Sequence, residues 1–117
     1  MSENLIKIFS TPLSLNELKQ IASERFGDMV KGVVDIERGV LALGGEMHAD
    51  EEAALLEAGS RQDDLWGINL YIDTPFPEMV EFDSMINIRP RQGNRSRGVE
   101  KEEVRTKILS VVGNLLG

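Results

Sequence analysis

Two stretches of the chain alternate apolar and polar residues with a period of two. In the first, Trp66, Ile68, Leu70 and Ile72 alternate with Gly67, Asn69, Tyr71 and Asp73. In the second, Val80, Phe82, Ser84, Ile86 and Ile88 alternate with Glu81, Asp83, Met85, Asn87 and Arg89. A strand sends successive side chains to opposite faces, so the pattern predicts two half-polar strands with a core on one side only. Pro75 and Pro77 break the chain between them, and Pro90 stops the second. An apolar sheet face needs a covering layer, and the rest of the sequence supplies helices for it.

Ser14 stands three residues before Glu17, the spacing at which each side chain caps the other's backbone amide. Leu18, Ile21, Ala22 and Phe26 follow at helical spacing, and Gly27 supplies a left-handed closing residue. A short helix is predicted over Glu51 to Ala58, capped by Asp50 and closed by Gly59, with Glu51 and Glu52 at the positive end of its dipole. A last helix runs from about Glu100 to Leu116, with Val104, Ile108, Val111, Val112 and Leu115 on one face. Leu5 to Phe9 reads as a first strand. Val30 to Glu37 and Val40 to Gly44 read as a hairpin turning at Arg38-Gly39, which sets Ile36 opposite Leu41 and Val34 opposite Leu43. Lys31, Asp35 and Glu37 then fall on the other face. The expected order is β-α-β-β-α-β-β-α: an α+β domain spanning residues 1–117, with a mixed or antiparallel sheet of about five strands and three helices mainly on one face. Leu18, Val34, Leu43, Trp66, Ile68, Phe82, Ile86, Ile108 and Val112 are expected in its core.

Composition narrows the function classes. The chain carries 20 Asp and Glu against 13 Lys and Arg, a formal charge of −7, which argues against a nucleic-acid binder working through overall positive charge. Without Cys there is no disulfide, zinc finger or thiol nucleophile. No basic stretch leads into an apolar one between Met1 and Ser10, and no apolar run reaches the roughly 18 residues of a membrane span. The expectation is a cytoplasmic protein without membrane contact.

Charge placement is the most unusual feature. Residues 89–97 hold Arg89, Arg91, Arg95 and Arg97 and no acid, a local +4, so the remainder carries −11 against the total of −7. Guanidinium forks grip carboxylate or phosphate with two hydrogen bonds, and Gly93, Asn94 and Gly98 allow backbone turns that aim amides at an anion. The run therefore reads as an anion site of Arg89, Arg91, Asn94, Arg95 and Arg97. The competing reading pairs these side chains with the domain's own acids, such as Asp35, Glu46 and Asp83, or with a neighbouring subunit. A second constellation, Glu46-x-His48-x-Asp50, holds the only His, the natural proton carrier near neutral pH. His48 with Glu46 or Asp83 would make an acid–base group. One His with scattered carboxylates does not complete a zinc set, so no metal is assigned, and nothing specifies a cofactor. The blander alternative makes Asp50 a helix cap and His48 its hydrogen-bonded neighbour. A third candidate is the polar sheet face of Asp35, Asn69, Tyr71 and Asn87, leading into the Arg loop and flooring a cleft rimmed by it. Val33 and Met85 on that face read alternatively as a dimer contact.

The runs Gly44-Gly45-Glu46-Met47-His48-Ala49-Asp50, Asp64-Leu65-Trp66-Gly67-Ile68-Asn69, Glu81 to Pro90 and Gln92 to Gly98, together with Val34-Asp35-Ile36-Glu37, resemble those of a family of short prokaryotic proteins of unknown function. The resemblance spans nearly the whole chain and implies a self-contained domain, with no activity, substrate or partner attached. The residues themselves point first to a binding module for a small phosphorylated or carboxylated ligand. An enzyme with hydrolase-like acid–base chemistry on such a ligand stands second, and a homo-oligomeric interaction module third.

Overall fold

The computed structural model describes residues 5–116. The first four residues of the stretch read for a leader lie outside them. The elements are β1 (Lys7–Phe9), α1 (Leu15–Ser23), β2 (Met29–Asp35), β3 (Val40–Leu43), α2 (His48–Glu57), β4 (Leu65–Tyr71), β5 (Val80–Glu81) and α3 (Glu102–Leu116), with 3-10 turns at Gln62–Asp64, Met85–Asn87 and Pro90–Gln92. The order expected from the sequence holds. The strands form one sheet in the order β1-β3-β2-β4-β5, antiparallel at every pairing.

α1 starts where its capping box requires: the Glu17 amide donates to Ser14 Oγ at 3.1 Å and the Ser14 amide to Glu17 Oε1 at 3.2 Å. Its Leu18, Ile21 and Ala22 pack with Ile108, Val111 and Val112 of α3 onto Val30, Val34, Leu41, Leu43, Trp66, Ile68 and Leu70. Val33, Val40, Ala42 and Leu65 point the other way and are closed over by Leu55 of α2. Two of the three helices thus share one sheet face, and α2 buries the other. That second layer removes Val33 from any dimer surface, whereas Met85 is 64% exposed.

The hairpin register is displaced by two residues from the expected one: Val34 faces Leu41, and Gly32 faces Leu43. A two-residue shift preserves the face of every side chain, so Val34, Leu41 and Leu43 still reach the core. The turn is longer because Asp35 Oδ1 accepts the amides of Glu37 and Arg38, each at 2.9 Å, and Gly39 takes φ of 69°. α2 begins at His48, with Met47 rather than Asp50 at its N-cap. Burial of His48 and Glu51 against the sheet carries the helix back beyond the sequence signal.

The second alternating stretch is not a strand over its length. β5 pairs with β4 only at Asn69–Glu81 and Leu70–Val80, after which the chain turns. Asn87 stands in for the missing strand: its Oδ1 accepts the Gly67 amide at 2.8 Å, and its Nδ2 donates to the Gly67 carbonyl at 3.0 Å. Gly67 permits this approach, since a Cβ there would lie 2.5 Å from Ser84 Cβ. Phe82 and Ile86 are consequently only half-buried, and Asp83, Asn87 and Arg89 do not share a strand face. No helix among the described residues is long and apolar enough to cross a membrane.

Candidate functional site

On the α2 face, Lys31 of β2, Asn69 of β4 and Glu81 of β5 stand in register across three strands. Asn69 Nδ2 donates to Glu81 Oε1 at 2.9 Å and to the Asp83 carbonyl at 3.3 Å. The Tyr71 hydroxyl donates to the same Glu81 oxygen at 3.0 Å, which holds the phenol protonated beyond its usual range. His48, in the first turn of α2, places Nε2 2.8 Å from the Ile68 carbonyl. A carbonyl only accepts, so Nε2 carries the proton and Nδ1 is the basic nitrogen. Burial lowers the His48 pKa; the Ile68 bond opposes this, Lys31 lowers it further, and Asn69 and Asp83 raise it.

Of the residues singled out for acid–base work, His48 and Asp83 are brought into one electrostatic neighbourhood and Glu46 is not. Glu46 is exposed and pairs with Arg25 at 3.4 Å. Of the polar face, Asn69 and Tyr71 stand together at Glu81, and Asn87 is spent on Gly67. Asp35 lies at the far end of β2, fully buried, with Ser60 Oγ donating to its Oδ2 at 2.6 Å. The missed residue is Glu51. It has no solvent exposure; its Oε2 accepts the Gly45 amide at 2.9 Å, its Oε1 has no partner, and burial pushes its pKa up to about 9. Gly45 was the available signal, for a Cβ there would stand 2.8 Å from Glu51 Cγ.

The Arg loop divides its charges. Arg89 is buried, stacks 4.2 Å from the Trp66 ring centroid, and donates to the carbonyls of Gln62 and Leu65. Arg91 pairs with Asp63 at 2.7 Å, and Arg97 Nε with Asp83 at 2.6 Å. Arg95 is exposed and makes no ion pair within 4 Å among the described residues. The amides of Arg95 and Ser96 converge on the Glu100 carboxylate at 2.7 and 2.9 Å, lowering its pKa. The loop's backbone nest therefore holds an internal carboxylate. Asn94, 2% exposed, fixes the loop: Nδ2 donates to the Asn87 and Gly98 carbonyls at 2.7 and 2.8 Å, and Oδ1 accepts the Glu100 amide at 2.8 Å.

The cleft rimmed by this loop opens on the α3 side of the sheet, opposite the polar face expected to floor it. Trp66, Gln92, Asn94, Val99, Lys101 and Val104 line an open cavity of about 150 Å³. Two of these residues keep a buried polar atom without a partner, Trp66 Nε1 and Gln92 Oε1. Among the described residues no group of three or more His, Asp and Glu is placed to hold a metal.

No curated protein and no solved structure matches the chain at a significant level. A family model described as "Protein of unknown function (DUF5674)" matches residues 7–115, and the chain therefore belongs to the DUF5674 family.

Proposed function

We propose that this domain is a binding module for a small phosphorylated or carboxylated ligand, held in the cavity between the Arg loop and α3. The observation that carries this reading is the cavity itself, lined by Lys101 at the start of α3 and by Gln92 and Asn94 of the Arg loop. The surroundings favour negative charge: residues 89–101 hold four Arg and Lys101 against Glu100 alone, in a chain of net −7. Arg91 and Arg97 are engaged by Asp63 and Asp83, so Lys101 in the lining and exposed Arg95 are the cations left for a ligand.

Trp66 is the only tryptophan, so the fluorescence comes from one residue of the cavity wall. Titration with inorganic phosphate, adenosine monophosphate, lactate and succinate should give, for at least one of them, a saturable change in emission. At 100 times its dissociation constant that anion should stabilise the fold by about 2.7 kcal/mol. Lys101→Ala should weaken the effect and leave the free protein's stability unchanged. No saturable change with any of the four overturns the reading.

A second reading rests on the fixed tautomer of His48, whose Nδ1 is an uncharged base near neutral pH beside Asn69 and Asp83. It makes the domain a hydrolase-like enzyme on small anionic esters. Turnover of p-nitrophenyl phosphate that disappears in His48→Gln supports it; rates equal to the variant's dismiss it.

A further inference from the structure

Beyond Tyr71, at the end of β4 away from the Arg loop, α1, α3 and the β4–β5 connection border a second cleft, open to solvent and of about 420 Å³. Leu15, Ile72, Phe76, Met79 and Leu116 make its lining largely apolar, and Leu15 and Phe76 are 53% and 46% exposed. Exposed apolar surface gathered around a cleft marks a contact site. Asp73 lines the same cleft, exposed and without an ion pair among the described residues. Glu17 and Glu78 adjoin lining residues in sequence, with Lys19 alone against them, so the rim is acidic. Two such clefts pressed face to face would set acid on acid. The surface fits an apolar side chain with a cation beside it.

The chain carries that complement at its other end. Met85 is 64% exposed, and the Ile88 amide donates to the Met85 carbonyl at 3.2 Å, which puts two exposed apolar side chains on one turn. The bridge between Arg89 and Asn94 sets Arg95 beside Ile88, and Arg95 is the loop guanidinium with no ion pair among the described residues. Asn87 pins the turn to Gly67, and Asn94 Nδ2 donates to the Asn87 carbonyl, so little order has to be gained on docking. Gly67 stands five residues before Ile72, about 17 Å at strand spacing, which keeps a chain from filling its own cleft with its own turn. We propose that the cleft receives the Met85–Ile88 turn of a second copy of this chain, with that copy's Arg95 against Asp73. The contact joins two different surfaces, so it propagates head to tail into a ring or an open chain. Lys101, in the lining of the other cavity, stays available to the ligand proposed above.

Sedimentation equilibrium of the full chain from about 10 μM to about 1 mM tests this, a range suited to a small, transient interface. The weight-average mass should climb above the 13.0 kDa of one chain with concentration, and less steeply in high salt. Met85→Asp spoils the turn and Leu15→Asp spoils the cleft; both positions are exposed, and an acid suits the first turn of α1. Each variant alone should remain a monomer. Mixed in equal amounts, they should form a dimer that grows no further, because the intact turn of Leu15→Asp meets the intact cleft of Met85→Asp and the other two surfaces are dead. A wild-type chain that is monomeric throughout overturns the proposal and leaves the cleft to a foreign basic partner. Association that survives in either variant, or a mixture that stays monomeric, overturns it as well.

Discussion

The Arg89 guanidinium bridges the carbonyls of Gln62 and Leu65 while lying over the Trp66 ring, so its removal strands two acceptors and uncovers an indole. Arg89→Ala should cost about 2–4 kcal/mol in urea unfolding, and Lys should restore only part, since an ammonium cannot hold both carbonyls in the plane that stacks. Arg95→Ala, from the same run but exposed, should stay within about 0.5 kcal/mol. Comparable losses at the two positions would contradict these placements. Composition showed that the guanidiniums needed compensation; which acid or carbonyl supplies it depends on loop geometry, with Asp63 and Gln62 nearly thirty residues away in sequence. His48 gives a second test at this scale. Its folded pKa lies below 6.5, so the unfolded chain binds the proton first as pH falls, and this contribution to stability is full above 6.5 and lost below it. In an NMR titration Asp83→Asn should lower the His48 midpoint further, because Asp83 favours the imidazolium. Glu46→Gln should leave it unmoved; a response to Glu46 and none to Asp83 would reverse the assignment.

α2 buries an acid, Glu51, whose bonded partner is the Gly45 amide just beyond β3. Glu51 titrates near 9 when folded against about 4.5 ordinarily, chiefly through burial, with the Gly45 amide, Lys31 and Arg25 pulling down and Asp50 pushing up. Between those values the folded chain keeps a proton that the unfolded chain has released. Stability is therefore full at low pH and declines as pH rises toward 9, by up to about 1.4 kcal/mol per unit. Glu51→Gln keeps an acceptor for Gly45 and cannot ionise, so unfolding at pH 5, 7 and 9 should show a flatter decline than wild type; identical slopes would mean that Glu51 is ionised in place. Helix α1 was legible because a capping box is local, whereas α2 was misplaced at its start because tertiary burial outweighed Asp50 as a cap. The stretch after Glu81 misled for a related reason. Its alternation satisfies the strand period, but Ser84 and Asn87 turn their polar groups to Ile86 and Gly67, and period alone does not distinguish a strand from a side chain imitating one. Gly67→Ala should confirm this contact by forcing Ser84 away, at about 1–3 kcal/mol, with chemical-shift changes centred on residues 84–87.

At the scale of the molecule, β2, β3 and β4 serve two cores at once, adjacent residues such as Val33 and Val34 pointing into different layers. Periodicity predicted an apolar face for α1 and α3, and could not predict that α2 covers the other, because a strand buried on both sides loses the alternation that reveals its faces. The shared strands tie the layers energetically. If α2 left, Val33, Val40, Ala42 and Leu65 would be exposed on the strands that carry Val34, Leu41 and Trp66. At pH 6, with Glu51 protonated, Trp66 fluorescence, which reports the α1–α3 side, and far-ultraviolet circular dichroism, which reports all helices, should therefore trace one coincident unfolding transition. At pH 9, where Glu51 is half ionised, amide exchange in α2 should quicken relative to α3, because the charge weakens only the layer that contains it. Fluorescence and dichroism curves that separate at pH 6 would show that the two layers melt independently, and equal acceleration of α2 and α3 at pH 9 would show that the Glu51 proton supports the whole sheet rather than one of its faces.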